Sequence, residues 1–391
     1  MHLGMRIILL SATAAGIFAI TPASAQTMQE ALAATYNNNP TLLAARAQLR
    51  SVDEGVPQAL SGWRPTVVMA GSYGAADVRT RNQTPLFRPD GSFFFREPFG
   101  LNTSGQNGPI PATLRQERTP ASATVTLTQP IYRGGRTVAQ TRQAENTVLA
   151  QRARLLATEQ QVLGDAIQAY IGMIQNAELL RLNINNEQVL VQQLQATNER
   201  FRVGEITRTD VAQAESRLAG ARATRTQSEG TLQIARATFE RVIGAAPQRL
   251  TNPQPLNVPI RSAAEAQAVA IANNPNVVAA LFTAASARDN IDVQMSVLLP
   301  QVSANAQAFR QDNQASAHIR QTGAQATINL SVPLYQGGSE YSAVRQARQL
   351  AQQNITQVDE QRRLAAQNAS QSWETLRSNR SQVDSVRAQI R

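Results

Sequence analysis

The chain has 391 residues, a formal net charge of +10, aromatic side chains at only 5% of positions and no cysteine. Disulfides, thiolate metal sites, a cysteine nucleophile and a lipobox anchor are therefore excluded, and a chain rich in Ala, Gln, Asn, Thr and Ser suits long helices packed on small side chains better than a compact aromatic core. Every basic residue except histidine is Arg, which fits either a GC-rich codon preference or a partner of negative charge, nucleic acid or lipid phosphate.

Arg6, the apolar run from Ile7 to Ile20 and the small triplet Ala23-Ser24-Ala25 have the layout of a secretory signal over 1–25, with the mature chain expected to start at Gln26. No later run of about 18 apolar residues is found, so no transmembrane helix is predicted. An exported chain of that kind is periplasmic, secreted or a β-barrel.

The mature sequence is built twice. Thr27-Met28-Gln29-Glu30 is a capping box, and Ser262-Ala263-Ala264-Glu265 is another, 235 residues on. Asn38-Asn39-Pro40 recurs as Asn273-Asn274-Pro275, and Pro65 as Pro300, at the same distance. Pro130-Ile131-Tyr132-Arg133-Gly134-Gly135 recurs as Pro333-Leu334-Tyr335-Gln336-Gly337-Gly338 at a distance of 203, so the first repeat carries 32 extra residues. These fall in a stretch rich in Gly, Pro, Asn, Ser and Phe, predicted as a loop over 75–119. The first repeat covers 26–246, a Pro-rich linker 247–261 and the second repeat 262–391.

Period-two alternation predicts strands at about 65–74, 120–130, 300–309 and 323–333. Ala123, Val125 and Leu127 face one way, with Ser122, Thr124, Thr126 and Thr128 opposite. Ala324, Ala326, Ile328, Leu330 and Val332 alternate likewise with Gln325, Thr327, Asn329 and Ser331, as do Val302, Ala304, Ala306 and Ala308 with Ser303, Asn305 and Gln307. The segments have the length of tilted outer-membrane strands, although two hairpins of a soluble sheet would show the same pattern. Pro130 and Pro333 stand at strand ends, where a missing N–H costs least. Four strands cannot close a barrel, so strands in lipid would require several chains to share one.

A helix is predicted from 137 to about 202, with Leu149, Leu156, Leu163, Tyr170, Ala177, Ile184 and Val191 as a heptad seam. At 1.5 Å per residue it would be roughly 95 Å long. Gly204 fits a left-handed C-terminal position, Thr209 or Asp210 a cap for a return helix ending near Val242, so 137–243 forms an antiparallel coil pair. Another helix starts at 339.

No catalytic constellation emerges. The mature chain has one histidine, His318, and no second partner for a metal site or a nucleophile–base pair. Gly134-Gly135 and Gly337-Gly338 follow strands but lack the rest of a phosphate loop, and are read as strand-to-helix passages. No cofactor, metal or enzyme activity is predicted. The insertion's Arg79, Arg81, Arg88, Arg96, Arg115 and Arg118 could meet lipopolysaccharide phosphates, with Asp77, Asp90, Glu97 and Glu117 offsetting them. Without a clustered Arg stripe and behind a signal peptide, nucleic acid is not an expected partner.

Together the paired Asn-Asn-Pro segments, the paired Pro-(Ile/Leu)-Tyr-x-Gly-Gly junctions and the run Phe201-Arg202-Val203-Gly204-Glu205-Ile206-Thr207-Arg208-Thr209-Asp210-Val211 resemble the TolC family of outer-membrane efflux and secretion proteins. The resemblance implies an α+β membrane protein and a homotrimer. Each chain would give four strands to a shared twelve-stranded barrel, and its long coils would form a periplasmic α-barrel. It implies a passive duct for drugs, toxic compounds or proteins, partnered by a periplasmic adaptor and, through it, an inner-membrane pump. Val203 and Gly204 match the adaptor-docking tip, and Thr209 and Asp210 match positions that bond a neighbouring coil in the closed state. Glu205 stands where the family has an apolar residue. The second tip would fall beyond Arg391, so the resemblance implies a second coil cut before its turn. The competing reading is a periplasmic coiled-coil adaptor or scaffold, which needs the helices but not lipid-facing strands.

Overall fold

The computed structural model describes residues 26–81, 84–87, 93–96, 113–254, 259–314 and 318–390. The signal peptide and, among the insertion's charged residues, Arg88, Asp90 and Glu97 lie outside the described residues. In chain order the elements are α1 (Met28–Asn38), α2 (Pro40–Asp53), α3 (Gly55–Leu60), β1 (Thr66–Tyr73), β2 (Ala76–Arg81), β3 (Thr84–Phe87), β4 (Phe93–Arg96), β5 (Thr113–Arg118), β6 (Ala121–Arg133), α4 (Arg136–Arg202), α5 (Arg208–Ile243), α6 (Ala263–Asn273), α7 (Pro275–Met295), β7 (Gln301–Asp312), β8 (Arg320–Ser331) and α8 (Ser339–Ile390). Element starts recur at the distances read from the sequence. A 3-10 turn at Ser61–Trp63 matches Ser296–Leu298, β1 matches β7, and α4 matches α8. The chain nonetheless divides into two compact units that cut across the repeats, 1–49 with 153–266 and 50–152 with 267–391.

In the first unit the helix ends are set by side chains. Thr27 N–H donates to Glu30 and Glu30 N–H to the Thr27 hydroxyl, closing the predicted box. Asn39 accepts from Thr41 N–H at 2.9 Å and donates to the Val242 carbonyl, also at 2.9 Å, so one amide starts α2 and satisfies a last-turn carbonyl of α5. The core gathers Ala31, Ala166, Ala169, Tyr170, Phe239, Val242 and Ile243. Tyr170 is fully buried. Its hydroxyl lies 2.8 Å from the Thr251 carbonyl and 2.9 Å from that of Gln26, and accepts the Thr251 N–H at 3.2 Å. A large ring thus ties the strand-like Gln26 and linker segments to the coil while its polar tip stays satisfied. Further along, Glu187 of α4 pairs with Arg225 (3.0 Å) and Arg222 (3.3 Å) of α5, and Asn183 donates to Ser228 at 2.7 Å.

The coil seam differs from the predicted heptad. Leu149 and Leu156 are exposed, whereas Val148, Ala153, Val162, Ala166 and Ala169 are buried. Tyr170 of the predicted seam is fully buried, but in the first half of α4 the packed stripe lies one position earlier, at Val148 and Val162, because small residues let helices approach and the leucines are left for another surface.

In the second unit α8 carries a strict seam of Val344, Ala347, Ala351, Val358 and Ala365, all buried, against α7. The stretch Ala263–Leu298 has a window of mean hydropathy 1.3, apolar enough by composition to cross a membrane. It is broken where Asn274 caps α7, and α7 offers Asp289 and Asp292 to Arg142 (3.7 and 2.8 Å) and Asp289 to Asn146 (2.7 Å). Those side chains mark a packed helix.

The main sheet runs β1-β6-β7-β8, every neighbour antiparallel. The insertion is not the strandless loop predicted. β2 and β5 pair Asp77↔Glu117 through Arg81↔Thr113, the same ladder as β1 and β6 continued past a short break, and β3 pairs with β4. Loop-like composition hid the ribbon, whose strands lack the β-branched and aromatic alternation that marks the main sheet.

At the end of β6, Gly134 and Gly135 have φ of +61° and +78°. A Cβ on Gly134 would also lie 2.6 Å from the Ser296 carbonyl oxygen, whereas one on Gly135 would meet nothing. Gly135→Ala is expected to cost about 1–2 kcal/mol through left-handed strain alone, and Gly134→Ala more, upwards of about 3 kcal/mol. Urea unfolding midpoints of the extracted protein check the order.

Candidate functional site

Two places concentrate features that the core does not need: the sheet, in the second unit, and the turn between α4 and α5, in the first.

The β1–β6 ladder puts Val67, Met69, Gly71 and Tyr73 beside Leu127, Val125, Ala123 and Ala121. The β6–β7 and β7–β8 ladders extend that face through Ala306 and Ala308 to Ala326 and Ala324, and through Ala304 and Val302 to Ile328 and Leu330. The opposite face carries Thr66, Ser72, Ser122, Thr124, Thr126, Thr128, Ser303, Asn305, Gln307, Gln325, Thr327 and Asn329, with Val68, Ala70 and Phe309 among them. Ser72 and Ser122 hydroxyls meet at 2.7 Å, and Gln325 donates to Gln307 at 2.8 Å. Burial in β6 is inverted relative to a soluble sheet, while β1 and β8 are exposed on both faces. In the central strand β6, Ala123, Val125 and Leu127 are exposed while Ser122, Thr124, Thr126 and Thr128 are half-buried. Among the described elements no α-helix packs on either face. Apolar surface turned outward over a whole sheet marks an interaction with lipid or protein, and eight to thirteen residues per strand, about 26–43 Å of chain, is membrane length.

Both strand ends have identifiable hardware. At the helix end Pro130, which has no N–H, sits at a register shift before Tyr132 pairs with Val302. In the second repeat Pro333 and Tyr335 lie outside any strand, and Gly337 and Gly338 turn the chain at φ +72° and +83°. At the far end Asp312 binds Arg320 (2.5 Å) and Arg310 (3.1 Å), while Tyr73 is exposed. Phe309 lies over Gly323, where a Cβ would meet its ring at 2.8 Å. His318 has φ +68° in the β7–β8 turn, and its N–H donates to the Asn313 side-chain oxygen at 2.7 Å.

The turn between α4 and α5 is closed by two local motifs. Gly204, at φ +81°, donates to the Phe201 carbonyl, and Glu205 N–H reaches the Arg200 carbonyl, both at 3.0 Å; this is a Schellman ending. Arg200 and Glu205 side chains pair at 2.5 Å. The cap of α5 is Thr207, not the predicted Thr209 or Asp210. Thr207 donates its N–H (2.9 Å) and hydroxyl (2.8 Å) to one Asp210 oxygen. The signal was present in sequence as Thr207-x-x-Asp210, a cap with its third-position acid. Val203, Gly204 and Thr209 are exposed on the same turn. Arg200 holds the Glu205 carboxyl below its ordinary value, and the Thr207 hydroxyl and N–H do the same for Asp210.

The sequence profile of the outer membrane efflux protein family matches residues 29–245 and 268–391. The outer membrane efflux protein BepC of Brucella suis is 29% identical over 92% of this chain and 72% of its own length. The alkaline protease secretion protein AprF of Pseudomonas aeruginosa is 23% identical over 68% of this chain and 59% of its own. The crystal structure of the outer membrane protein VceC of Vibrio cholerae shares the fold at a TM-score of 0.68, with 14% identity over 92% of this chain and 81% of that one.

A carboxyl with a lowered folded pKa stabilises above its unfolded value, and that contribution is lost as pH falls through the lowered one. The α4–α5 turn is therefore expected to stay fixed at neutral pH and to loosen only below about pH 4. A nitroxide label at Thr209 should gain mobility in that range, and Asp210→Asn should make it mobile already at pH 7.

Proposed function

The chain belongs to the outer membrane efflux protein family, and from that premise we propose that three copies assemble into a passive export duct fed by a periplasmic adaptor and an inner-membrane pump. The family is one of channels, not enzymes. It places the chain in the outer membrane, with helices in the periplasm.

The observation that carries the reading is the inverted sheet. Apolar side chains face outward along all four strands, the other face is mostly Ser, Thr, Asn and Gln with Val68, Ala70 and Phe309 among them, and β1 and β8 end in unpaired edges. In hydrocarbon every backbone N–H and C=O needs a partner, so open edges must be closed by another strand. The alternation of direction makes β1 and β8 antiparallel to each other, so that β8 of one copy meets β1 of the next in the ordinary antiparallel sense. Three copies of four strands give an even twelve, within the range of lipid-spanning barrels. The polar face then lines a water-filled lumen. A coiled-coil adaptor, the competing reading, would have no use for this sheet.

In this account Val203 and Gly204 at the apex of the coil pair receive the adaptor, as exposed apolar surface at a rigid turn. Glu205, charged where an apolar residue is the family habit, is neutralised by Arg200. Thr209 stays available to a neighbouring coil. Asp210 keeps one oxygen for such a contact, the other being taken by Thr207. The relatives include an efflux protein and a protease secretion protein, and both cargo classes fall within the proposal.

Two substitutions one residue apart test the sheet's orientation. Leu127→Arg puts a charge on the proposed lipid face and is expected to cost about 2–4 kcal/mol and abolish outer-membrane assembly. Thr126→Arg faces the lumen and should still assemble. Fractionation and heat-modifiable migration read the result; equal tolerance of both would remove the barrel. At the tip, Val203→Asp should leave assembly intact and lower dye efflux in cells that supply the cognate adaptor and pump.

A further inference from the structure

This inference rests on the proposed shared barrel and concerns what its lumen binds. The two strand-to-helix passages are copies of each other, but only the first is basic. Gly62, Arg64, Arg133, Arg136 and Thr137 correspond to Val297, Leu299, Gln336, Ser339 and Glu340, at distances of 235 and 203 residues. The second passage turns a strand into a helix with none of these arginines, so the fold does not require them in the first.

The bulge at Pro130 decides which face receives Arg133. Before it, the odd-numbered residues Ala123, Val125 and Leu127 of β6 lie on the apolar face. Unbroken alternation would add Arg133 to them. The extra residue instead puts Tyr132 opposite Val302 on that face and Arg133 opposite Gln301 on the polar one. There Arg133 is the one charged side chain among the described residues of the main sheet. Arg310, Asp312 and Arg320 fall in phase with Ala123 and Ala121 on the other face.

Arg133 and Arg64 line a cavity of about 450 Å³ with Ser303, Asn329 and Ser331, at the helix end of the polar face. Neither arginine, nor Arg136, has an acidic partner among the described residues. A Cβ on Gly62 would stand 2.7 Å from Arg133 Nη1 and 2.9 Å from Thr137 Oγ1, so the glycine leaves room for a guanidinium beside a hydroxyl. That hydroxyl is fully buried and has no hydrogen-bond partner among the described residues.

We infer that this cavity is an oxyanion site, repeated in each copy as a ring of positive charge where the lumen passes from strands to helices. Its ligand is a carboxylate, sulfonate or phosphate group on the exported solute. A guanidinium presents paired N–H donors matched to such a group. The Ser303 and Ser331 hydroxyls and the Asn329 amide add donors. With no carboxylate on the polar face of the strands, the uncompensated charge concentrates anions in the passage. A lipid phosphate would call for the arginine on the apolar face, and the bulge takes Arg133 away from it.

The full chain reconstituted in phosphatidylcholine bilayers tests this, with citrate as the probe. In a potassium chloride gradient the reversal potential should show chloride preferred over potassium, and citrate should block the chloride current. Arg133→Gln introduces the side chain that the second passage already carries, and should assemble. It is expected to abolish the preference and to raise the half-blocking citrate concentration at least about tenfold, through loss of a charged hydrogen bond. Arg64→Gln is the second variant. Thermal melting of the trimer in detergent reads binding without a current: citrate should raise the midpoint of the unmodified protein and not that of Arg133→Gln. Selectivity, block and melting left unchanged by both variants overturn the site and leave the duct standing. A chloride preference that appears only in Glu340→Gln also overturns it, because Glu340 of a neighbouring copy would then already hold the arginines. Selectivity that follows added phosphatidylglycerol and ignores citrate assigns the arginines to a headgroup and overturns the lumenal site. A monomer that passes no ions overturns the duct reading itself, and this site with it.

Discussion

A backbone N–H or C=O taken into hydrocarbon without a partner costs several kcal/mol. That constraint organises the sheet. Four antiparallel strands satisfy three ladders and leave the outer edges of β1 and β8 open. The devices around the sheet make sense as means of closing it. Pro130 sits at a register shift near the end of β6, and Pro333 follows the end of β8, both places where a donor is dispensable. Glycine pairs turn the chain sharply from strand to helix. The charged trio Arg310, Asp312 and Arg320 and the exposed Tyr73 sit at the opposite end, where a membrane interface would accept both.

The helical part follows a different economy. Its seams are built on Ala and Val at Val344, Ala347, Ala351, Val358 and Ala365, with polar links such as Asn183 to Ser228 and Glu187 to Arg225 between turns. Small seams let helices approach closely and leave larger side chains, Leu149 and Leu156 among them, on other faces. One large aromatic, Tyr170, is spent where the coil must grip segments far apart in sequence. At the apex the turn is held by contacts within itself, so its shape does not depend on a neighbour: the Schellman bonds, the Arg200–Glu205 pair and the Thr207–Asp210 cap. Exposed Val203 is thereby presented from a rigid base.

Much of this was legible in the residues alone. The repeat distances located every strand of the main sheet and every strand-to-helix passage, because prolines, glycines and caps are local signals. Period two gave the faces, since a strand wet on one side must alternate. Four things were missed. The ribbon β2–β5 was masked by loop-like composition. The packed face of α4 was displaced by one position around Leu149 and Leu156, though not at Tyr170, because a heptad count gives a period and only tertiary packing says which stripe is covered. The cap of α5 was assigned to Thr209 or Asp210 although Thr207 with Asp210 three residues later carried the better signal. The pairing of β6 with β7 joins separate repeats, and no local pattern announces it.

The central claim is that this chain closes its sheet by sharing one barrel with identical neighbours. Native mass spectrometry of the complex, extracted in detergent from the outer membrane, tests it most directly. The account requires a single species of three copies. A monomer, or a stable dimer with no trimer, would contradict it.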